Sequence, residues 1–366
     1  MTLGERDDGE DVKKILTKWP VLLLCGCGQA PTSETTSIVT QNLVTEGSGA
    51  MSQASASDYI RAPGGVLVHP SCFHVVPNGA VIDRDRNVIV GGSIKNGVVT
   101  GGTITEQLPE CTHPAILESP TGPVSDSSSC PPSPGLSLTG SWVEASWACL
   151  TGANFFSALE NYMNVPTGAI DFAGQQIYLF PSFSTAPSNT SSILQPVLQW
   201  GSQAPNGGCT NNSNGEPAWG ISNWYLGPDG AEVASSPTCG VNPGDQIYNI
   251  MSAGTPCNGG ECYWLSENCD FTTGVCNAIN DFFAAVTFQN AQQGVLESDQ
   301  PDGNGGVAFC NQLPNGLNGS ATYSQTTVWE NLNNTFSPTW VVAFGNYSAQ
   351  CDYLVSNFSG GTTLHF

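Results

Sequence analysis

Glycine and proline interrupt this chain too often for long helices to form. The 366 residues include 42 Gly and 25 Pro, and only short stretches separate them. Ser, Thr and Asn are frequent in these stretches, where helical proteins have Ala, Glu, Lys and Leu. A chain of this kind favours short strands joined by turns, so we predict an all-β fold.

The basic residues are confined to the first 95 positions of a chain whose net charge is −22. From Asn96 to Phe366 the sequence has neither Lys nor Arg. Such a surface repels phosphate groups, so we predict no nucleic-acid partner and no cofactor. It also carries no cations that would repel one another once acid neutralises the carboxylates, which suits an acidic environment.

The first 27 residues resemble a bacterial lipoprotein signal. Residues 1–11 are acidic, but Val12 is followed by three lysines, and the apolar run 21–24 leads into Cys25-Gly26-Cys27. The resemblance implies lipidation at Cys27, with Val12 as an alternative start to Met1. We therefore expect an exported protein: an outer-membrane or cell-surface lipoprotein held by its lipid anchor, or a secreted protein.

Composition divides the remaining chain into four segments. Residues 28–57 form a Ser/Thr-rich tether, and residues 58–118 form a small β module of short strand-like runs. A Pro/Ser-rich linker covers residues 119–136, and residues 137–366 form a sandwich of two antiparallel sheets. We expect a monomer. Two interpretations of the small β module stay open: a spacer or independent module whose Arg residues are ordinary surface groups, or a cap that docks on the acidic sandwich through its Arg and Lys residues.

Cysteines support export. Beyond the signal region twelve remain, an even number, which is typical of a disulfide framework. Cys257–Cys262 and Cys269–Cys276 are plausible local pairs. Cys72 and Cys111 lie near three histidines and could hold zinc, but a bridge between these two cysteines is the favoured interpretation in an oxidising compartment. We predict no metal site.

The sandwich segment resembles the glutamic peptidases, the eqolisin family, over about residues 141–330. Seven motifs follow one another in the family's order: Ser141-Trp142, Asn164-Val165-Pro166, Ile177 to Trp200 with Ile193-Leu194-Gln195, Asn223-Trp224-Tyr225, Pro243-Gly244-Asp245, Glu267-Asn268 with Thr272-Thr273-Gly274, and Val295-Leu296-Glu297-Ser298. The resemblance implies a concanavalin-A-like two-sheet sandwich and an acid endopeptidase acting on polypeptides.

The same resemblance implies a catalytic pair, Gln195 and Glu297, here called the dyad. The glutamate would take a proton from water, and the glutamine amide would stabilise the oxyanion. Around the dyad, this chain departs from the family's residue types at four of the positions expected to bind substrate, while Trp224 is shared. These substrate-binding candidates are Tyr178, Ser182, Gln199, Asn223 and Trp224.

Two alternatives to a peptidase stay open. Six tryptophans and many Asn and Asp residues could bind glycans on a lectin-like sandwich without catalysis, although Trp between sheets is usually core. A glycoside hydrolase using Glu297 and Asp299 is the third interpretation, since alternation points both carboxylates to one face. Pro301 and Gly303 interrupt that strand before a third acid can align.

Overall fold

The protein is described by a computed structural model over residues 59–113, 115–117, 136–137, 141–152, 154–185, 192–211, 215–258, 261–284, 286–299, 310–315, 319–332, 334–344, 351 and 353–366. The signal with Cys27, the tether and almost all of the linker lie outside these residues. Within the described ranges, no helix has the length and hydropathy needed to span a bilayer.

The described residues are almost entirely strands. In chain order these are β1 Ile60–Ala62, β2 Val66–Val68, β3 Phe73–Val76, β4 Ala80–Ile82, β5 Asn87–Lys95, β6 Val98–Gln107, β7 Ile116–Leu117, β8 Leu136–Ser137, β9 Trp142–Cys149, β10 Phe156–Asn164, β11 Gln176–Ser184, β12 Ile193–Trp200 and β13 Cys209–Thr210. The others are β14 Pro217–Leu226, β15 Glu232–Ser235, β16 Thr238–Val241, β17 Gln246–Asn258, β18 Glu261–Asp270, β19 Val275–Ala284, β20 Asn290–Asp299, β21 Ser320–Glu330, β22 Asn334–Phe336, β23 Val341–Phe344, β24 Leu354–Phe358 and β25 Gly361–His365. Two short 3₁₀ helices accompany them, Pro70–Cys72 and Cys310–Gln312.

Two eleven-stranded sheets form the sandwich. Sheet I has the order β24-β25-β21-β10-β17-β18-β19-β4-β5-β6, with β22 beside β21. Sheet II has the order β3-β15-β14-β12-β11-β20-β9-β23-β8, with β13 and β16 beside β14. Most neighbouring strands are antiparallel, and two apolar clusters join the inner faces, one around Trp264 and Phe183 and one around Leu179 and Ile247. The predicted all-β sandwich is confirmed.

The N-terminal strands belong to the same body. β3 pairs in parallel with β15 of sheet II, and β4 pairs in parallel with β19 of sheet I. β1, β2 and β7 form a separate three-stranded sheet. Two ion pairs add to this docking: Arg61 Nη1 lies 3.8 Å from Asp299 Oδ1, and Arg86 Nη1 lies 2.6 Å from Asp229 Oδ2. The described part of residues 58–118 thus contacts the sandwich through two arginines, in line with the positive charge of this segment and the negative charge of the sandwich.

A third apolar cluster lies on the outer face of sheet II. Ala62, Val66 and Val68, from β1 and β2, pack there with Phe180 and Trp224 of the sheet. All five residues are fully buried. We call residues 60–68 the covering segment, because they shield this face of sheet II from solvent.

Disulfides tie the loops of the sandwich. Among the described residues the bridges are Cys72–Cys111, Cys209–Cys239, Cys257–Cys262, Cys269–Cys276 and Cys310–Cys351, and Cys149 is also disulfide-bonded. The three predicted pairs are confirmed. Because the Cys72 sulfur is in a bridge, it is not a thiolate ligand for zinc, although His69 and His113 stack beside it with ring centroids 3.8 Å apart. Bridges of this number are consistent with an exported protein.

Candidate active site

Gln195 and Glu297 lie two strands apart on one face of sheet II. Gln195 is on β12, Glu297 is on β20, and β11 lies between these strands. Val197 and Val295, two residues along each strand, pack with Val66 of the covering segment. Since strand residues alternate between faces, the dyad faces the same segment. Both side chains are buried, with exposures of 1% for the glutamine and 0% for the glutamate.

The Glu297 carboxyl accepts three hydrogen bonds. Gly64 N donates to Oε2 at 2.6 Å, Gly65 N donates to Oε1 at 3.1 Å, and Ser141 Oγ donates to Oε1 at 2.6 Å. Both glycines have positive φ, +102° and +68°, which lets two successive amides point at one carboxylate. The covering segment thus binds the carboxyl directly through its main chain.

Burial raises the pKa of Glu297 to about 7, from an ordinary value of 4.5. Desolvation is the largest cause. The hydrogen bonds from Ser141, Gly64 and Gly65 lower the pKa, and so does the charge of Arg61, but together they offset only part of the desolvation. The carboxyl is therefore poised to gain or lose a proton near neutral pH while the site is covered.

Gln195 holds the carbonyl that precedes the first of these amides. Its Nε2 donates to Pro63 O at 2.8 Å. Its Oε1 is buried and has no hydrogen-bond partner among the described residues. The oxygen and the nitrogen of one peptide bond, Pro63–Gly64, therefore contact the two members of the dyad, Gln195 at the oxygen and Glu297 at the nitrogen.

Four of the five substrate-binding candidates lie on the face of the dyad. Tyr178 is the cross-strand partner of Glu297. Gln199 is the partner of Tyr178 on β12, and its side chain is held by Ser222 and the loop 206–207. Trp224 packs edge-on to Tyr178, with centroids 6.5 Å apart. Alternation along β11 adds Ser182, whose hydroxyl donates to Gln292.

Asn223 lies on the opposite face. Its amide donates to Asn268 Oδ1 at 3.1 Å and to Asn277 O at 2.8 Å, and its oxygen accepts from Ser266 Oγ at 2.6 Å. These partners belong to β18 and β19 of sheet I. The structure thus places Asn223 in a buried polar network between the sheets, away from the dyad.

Sequence reasoning missed the residues that complete the site. Ser141, Pro63, Gly64 and Gly65 contact the dyad, yet none was a site candidate. The Gly-Gly doublet marks a turn, but its glutamate partner lies more than 230 residues away in the sequence. No local pattern carries information about such a distant contact.

A second buried carboxyl lies near the dyad. Glu232 on β15 is 1% exposed, and neither of its oxygens has a hydrogen-bond partner among the described residues. Burial, and secondarily the charge of Glu297, raise its pKa well above 4.5. A neutral carboxylic acid is the form that such a site favours.

The tryptophan surface expected for glycan binding is largely absent from the described part of the chain. Trp200, Trp219, Trp224 and Trp264 are buried, with exposures of 5% or less. Their rings pack in the apolar clusters rather than facing solvent. This leaves no stacking platform built from these four residues.

The glycosidase alternative needs two free carboxylates. Glu297 and Asp299 do share a face of β20, as alternation predicts. Arg61 lies 3.8 Å from the aspartate, and the covering segment occupies the glutamate. Gln195 and Glu297 thus contact the two ends of a peptide bond, which favours a peptide over a sugar as the ligand of this face.

Comparisons with known proteins give a distant likeness. No family model and no curated protein matches the chain. Among solved structures, it is similar to scytalido-glutamic peptidase with a peptide-based transition-state analogue, at 15% identity and a TM-score of 0.38, over 62% of this chain and 97% of that chain. It is also similar to SCP-B, a member of the eqolisin family in complex with the tripeptide Ala-Ile-His, at 16% identity and a TM-score of 0.39, over 62% and 96%.

Proposed function

We propose that this protein is an acid endopeptidase with Glu297 and Gln195 as its catalytic residues. One observation carries the proposal: a donor contacts the oxygen of a peptide bond and a carboxyl contacts its nitrogen, inside a buried site. These are the two atoms whose charge changes during hydrolysis. Groups already aimed at them need little reorganisation in the transition state.

In the proposed mechanism Glu297 acts first as a base and then as an acid, and Gln195 uses both its amide nitrogen and its amide oxygen. Ionised Glu297 takes a proton from water as the water oxygen attacks the carbonyl carbon, and it then gives the proton to the leaving nitrogen. Gln195 Nε2 donates to the developing oxyanion, a contribution of about 3 kcal/mol in comparable sites. Gln195 Oε1 accepts a hydrogen bond from the attacking water, and it is available to do so because no described residue donates to it.

Activity in acid requires that the covering segment leave the dyad. Under the segment, desolvation raises the pKa of Glu297 to about 7, so the carboxyl would be protonated in acid. Solvent and an extended substrate replacing the segment relieve that desolvation, and the pKa falls toward 4.5. We propose that the substrate then lies along Tyr178, Ser182, Gln199 and Trp224.

The test is hydrolysis of an unfolded protein substrate from pH 3 to pH 8, with cleavage sites read by mass spectrometry. We expect cleavage at acid pH that inhibitors of serine, cysteine and metallopeptidases do not affect. Glu297→Gln and Gln195→Ala should each reduce the rate by at least about 10²-fold.

The matched control is Glu144→Gln, which alters a buried carboxyl. Burial raises the pKa of Glu144 well above 4.5, and that side chain interacts with groups of sheet I rather than with the dyad. The control should keep full activity. Equal activity in Glu297→Gln and the control would contradict the mechanism.

We also propose that the protein is exported as a monomer and, if it keeps its N-terminal region, anchored in the membrane by lipid on Cys27. The disulfides support export. The basic and apolar run before Cys27 supports the anchor.

A further inference from the structure

A group of reactive side chains that the dyad does not use surrounds one disulfide of the small β module. Two of the four histidines in the chain, His69 and His113, stack beside the Cys72–Cys111 bridge, with ring centroids 3.8 Å apart and 10° between the ring planes. We propose that these two histidines and two cysteines form a zinc site when the bridge is reduced. We call the four residues the His/Cys cluster. The cluster takes no part in the proposed peptidase reaction.

Two short segments of chain supply the four ligands. One segment supplies His69 and Cys72, at the two ends of a single 3₁₀ turn in which Cys72 N donates to His69 O at 2.8 Å. The other supplies Cys111 and His113, and the Cys111 sulfur lies 2.9 Å from His113 O. Structural zinc sites are built from closely spaced pairs of Cys and His on two segments. The local chain geometry of the cluster is therefore of the kind that zinc requires.

The ligand atoms already lie close together. One ring nitrogen of each histidine and the Cys72 sulfur are all within 4.8 Å of one another, and the Cys111 sulfur is bonded to that of Cys72. Tetrahedral zinc, with bonds of about 2.0–2.3 Å, holds neighbouring ligand atoms roughly 3.3–3.8 Å apart. The histidine nitrogens therefore need to move inward by roughly 1 Å, and the sulfurs need to separate once reduction breaks their bond. Both imidazoles are only partly buried, so their rings can turn toward an ion.

Ser71 lies where it can orient both imidazoles. Its hydroxyl oxygen is 2.7 Å from His69 Nδ1 and 3.5 Å from His113 Nδ1, and its main-chain N donates to His69 Nδ1 at 3.2 Å. A hydroxyl can donate to a ring nitrogen or accept from it, so it can hold an imidazole in either tautomer. Hydrogen-bond partners of this kind orient the histidine ligands of zinc sites. Ser71 is therefore a positioning residue of the proposed site.

The disulfide and the zinc thiolates are two states of the same cysteines. A dithiol reductant gives two electrons and two protons to the bridge, so Cys72 and Cys111 become thiols and the reductant becomes a disulfide. Zn²⁺ then displaces the two thiol protons and binds two thiolates and two neutral imidazoles. In the reverse direction, a disulfide oxidant takes two electrons from the thiolates and two protons from solvent and leaves as two thiols. The bridge then re-forms and Zn²⁺ is released.

Exchange of zinc for the bridge would keep one connection of the module intact in two redox environments. Cys72 follows β2 and Cys111 precedes β7, and these two strands pair over only two residues each. A ladder this short is weak by itself. Either the disulfide or the zinc ion closes the loop between the two cysteines, which are 39 positions apart. Zinc would therefore hold the module closed wherever the bridge is reduced.

The experiment measures metal binding by the full chain at neutral pH, before and after reduction with a phosphine, without oxygen. Co²⁺ is the optical probe, because tetrahedral Co²⁺ bound to thiolates absorbs strongly in the visible range, and Zn²⁺ is then added to displace it. We expect the reduced chain to bind one metal ion, with two sulfur and two nitrogen neighbours by X-ray absorption. The oxidised chain should bind at least about 10²-fold more weakly, because it offers no thiolate.

Reduction exposes other cysteines as well, so paired variants locate the ion. Cys72→Ser combined with Cys111→Ser should abolish binding by the reduced chain. Cys209→Ser combined with Cys239→Ser is the matched control, because it removes another bridge, one that is not part of the His/Cys cluster. That control should bind zinc as tightly as the parent chain.

Histidine variants test the other two ligands and leave the bridge in place. In the reduced chain, His69→Gln and His113→Gln should each weaken Zn²⁺ binding by at least about 10-fold, because each removes one of four ligands. His74→Gln is their control, since His74 belongs to the same module but lies outside the cluster. Its affinity for Zn²⁺ should equal that of the parent.

Several results would overturn the proposal. Binding that survives the loss of Cys72 and Cys111, or of either histidine, puts the ion elsewhere; Glu267, Cys269 and Cys276 are the other group of suitable ligands among the described residues. Failure of the reduced, folded chain to take up an ion also overturns it. So does unfolding on reduction that Zn²⁺ does not reverse, followed by circular dichroism, because a structural zinc site contributes to folding. None of these measurements depends on peptidase activity.

Discussion

The raised pKa of Glu297 makes a quantitative prediction about folding. In the folded chain the carboxyl titrates at about 7, whereas the ordinary value of 4.5 applies once the chain unfolds. Below pH 4.5 both states hold the proton, and the contribution to stability is complete. Between pH 4.5 and 7 only the folded state keeps it, so the free energy of unfolding falls as pH rises through this window.

The size of the effect follows from the gap between the two pKa values. A gap of about 2.5 pH units at about 1.36 kcal/mol per unit corresponds to slightly more than about 3 kcal/mol. Glu297→Gln removes the titration. The variant should therefore gain about 3 kcal/mol relative to its parent between pH 4 and pH 8, whatever its stability at pH 4.

The measurement is urea unfolding at one-unit steps from pH 4 to pH 8. Both proteins should carry Gln195→Ala, so that the proposed peptidase activity does not degrade either sample. Ser141→Ala provides a directional check: losing that hydrogen bond should raise the pKa of Glu297 further and extend the falling part of the curve to higher pH. A difference between parent and variant that stays constant over the whole range would refute the reasoning.

Two further predictions concern the ion pairs of Arg61 and Arg86 and the lipid anchor at Cys27. In urea unfolding, Arg61→Gln should lower the free energy of unfolding by about 3 kcal/mol, because it removes the cation beside the buried Asp299 carboxylate. Arg86→Gln should lower it by less than about 1 kcal/mol, because the Arg86–Asp229 pair is shorter but more exposed to solvent. Equal losses in the two variants would contradict this reasoning. Growth with a labelled fatty acid in a bacterial host should label the chain, and Cys27→Ser should abolish the label; labelling that survives the substitution would exclude the anchor.

The sequence was informative wherever its signal was local. The density of Gly and Pro predicted strands and turns, and close cysteine spacing predicted Cys257–Cys262 and Cys269–Cys276, both of which are present. The order of motifs predicted that Gln195 and Glu297 would lie on strands of the sandwich, and they do. Alternation along those strands then accounts for their shared face.

Local rules, strictly applied, also exclude one of the predicted site residues. Asn223 and Trp224 are neighbours on β14, and neighbours on a strand point to opposite faces. Both could not line one peptide-binding face, and the structure places the asparagine between the sheets. The sequence alone shows that Asn223 and Trp224 are adjacent, but the resemblance to the family motif led to both being predicted as substrate-binding residues.

The contacts of Gly64 and Gly65 with Glu297 could not be read in this way. They depend on the position of the covering segment over sheet II, which the hairpin, the Cys72–Cys111 bridge and the Arg61 pair determine together. No one of these three interactions, taken from the sequence by itself, predicts where the covering segment lies. Together they determine its position in the folded chain.

The parallel strands β3 and β4 also set an order of events during folding. β3 must wait for a partner about 160 residues later in the chain, and β4 for one about 200 residues later. Closing such large loops is slow, because chain entropy is lost before any contact is gained. On a ribosome, the hairpins of the sandwich can form before these strands dock. The covering segment would then reach the dyad among the last elements to fold, so the site would be assembled before it is closed.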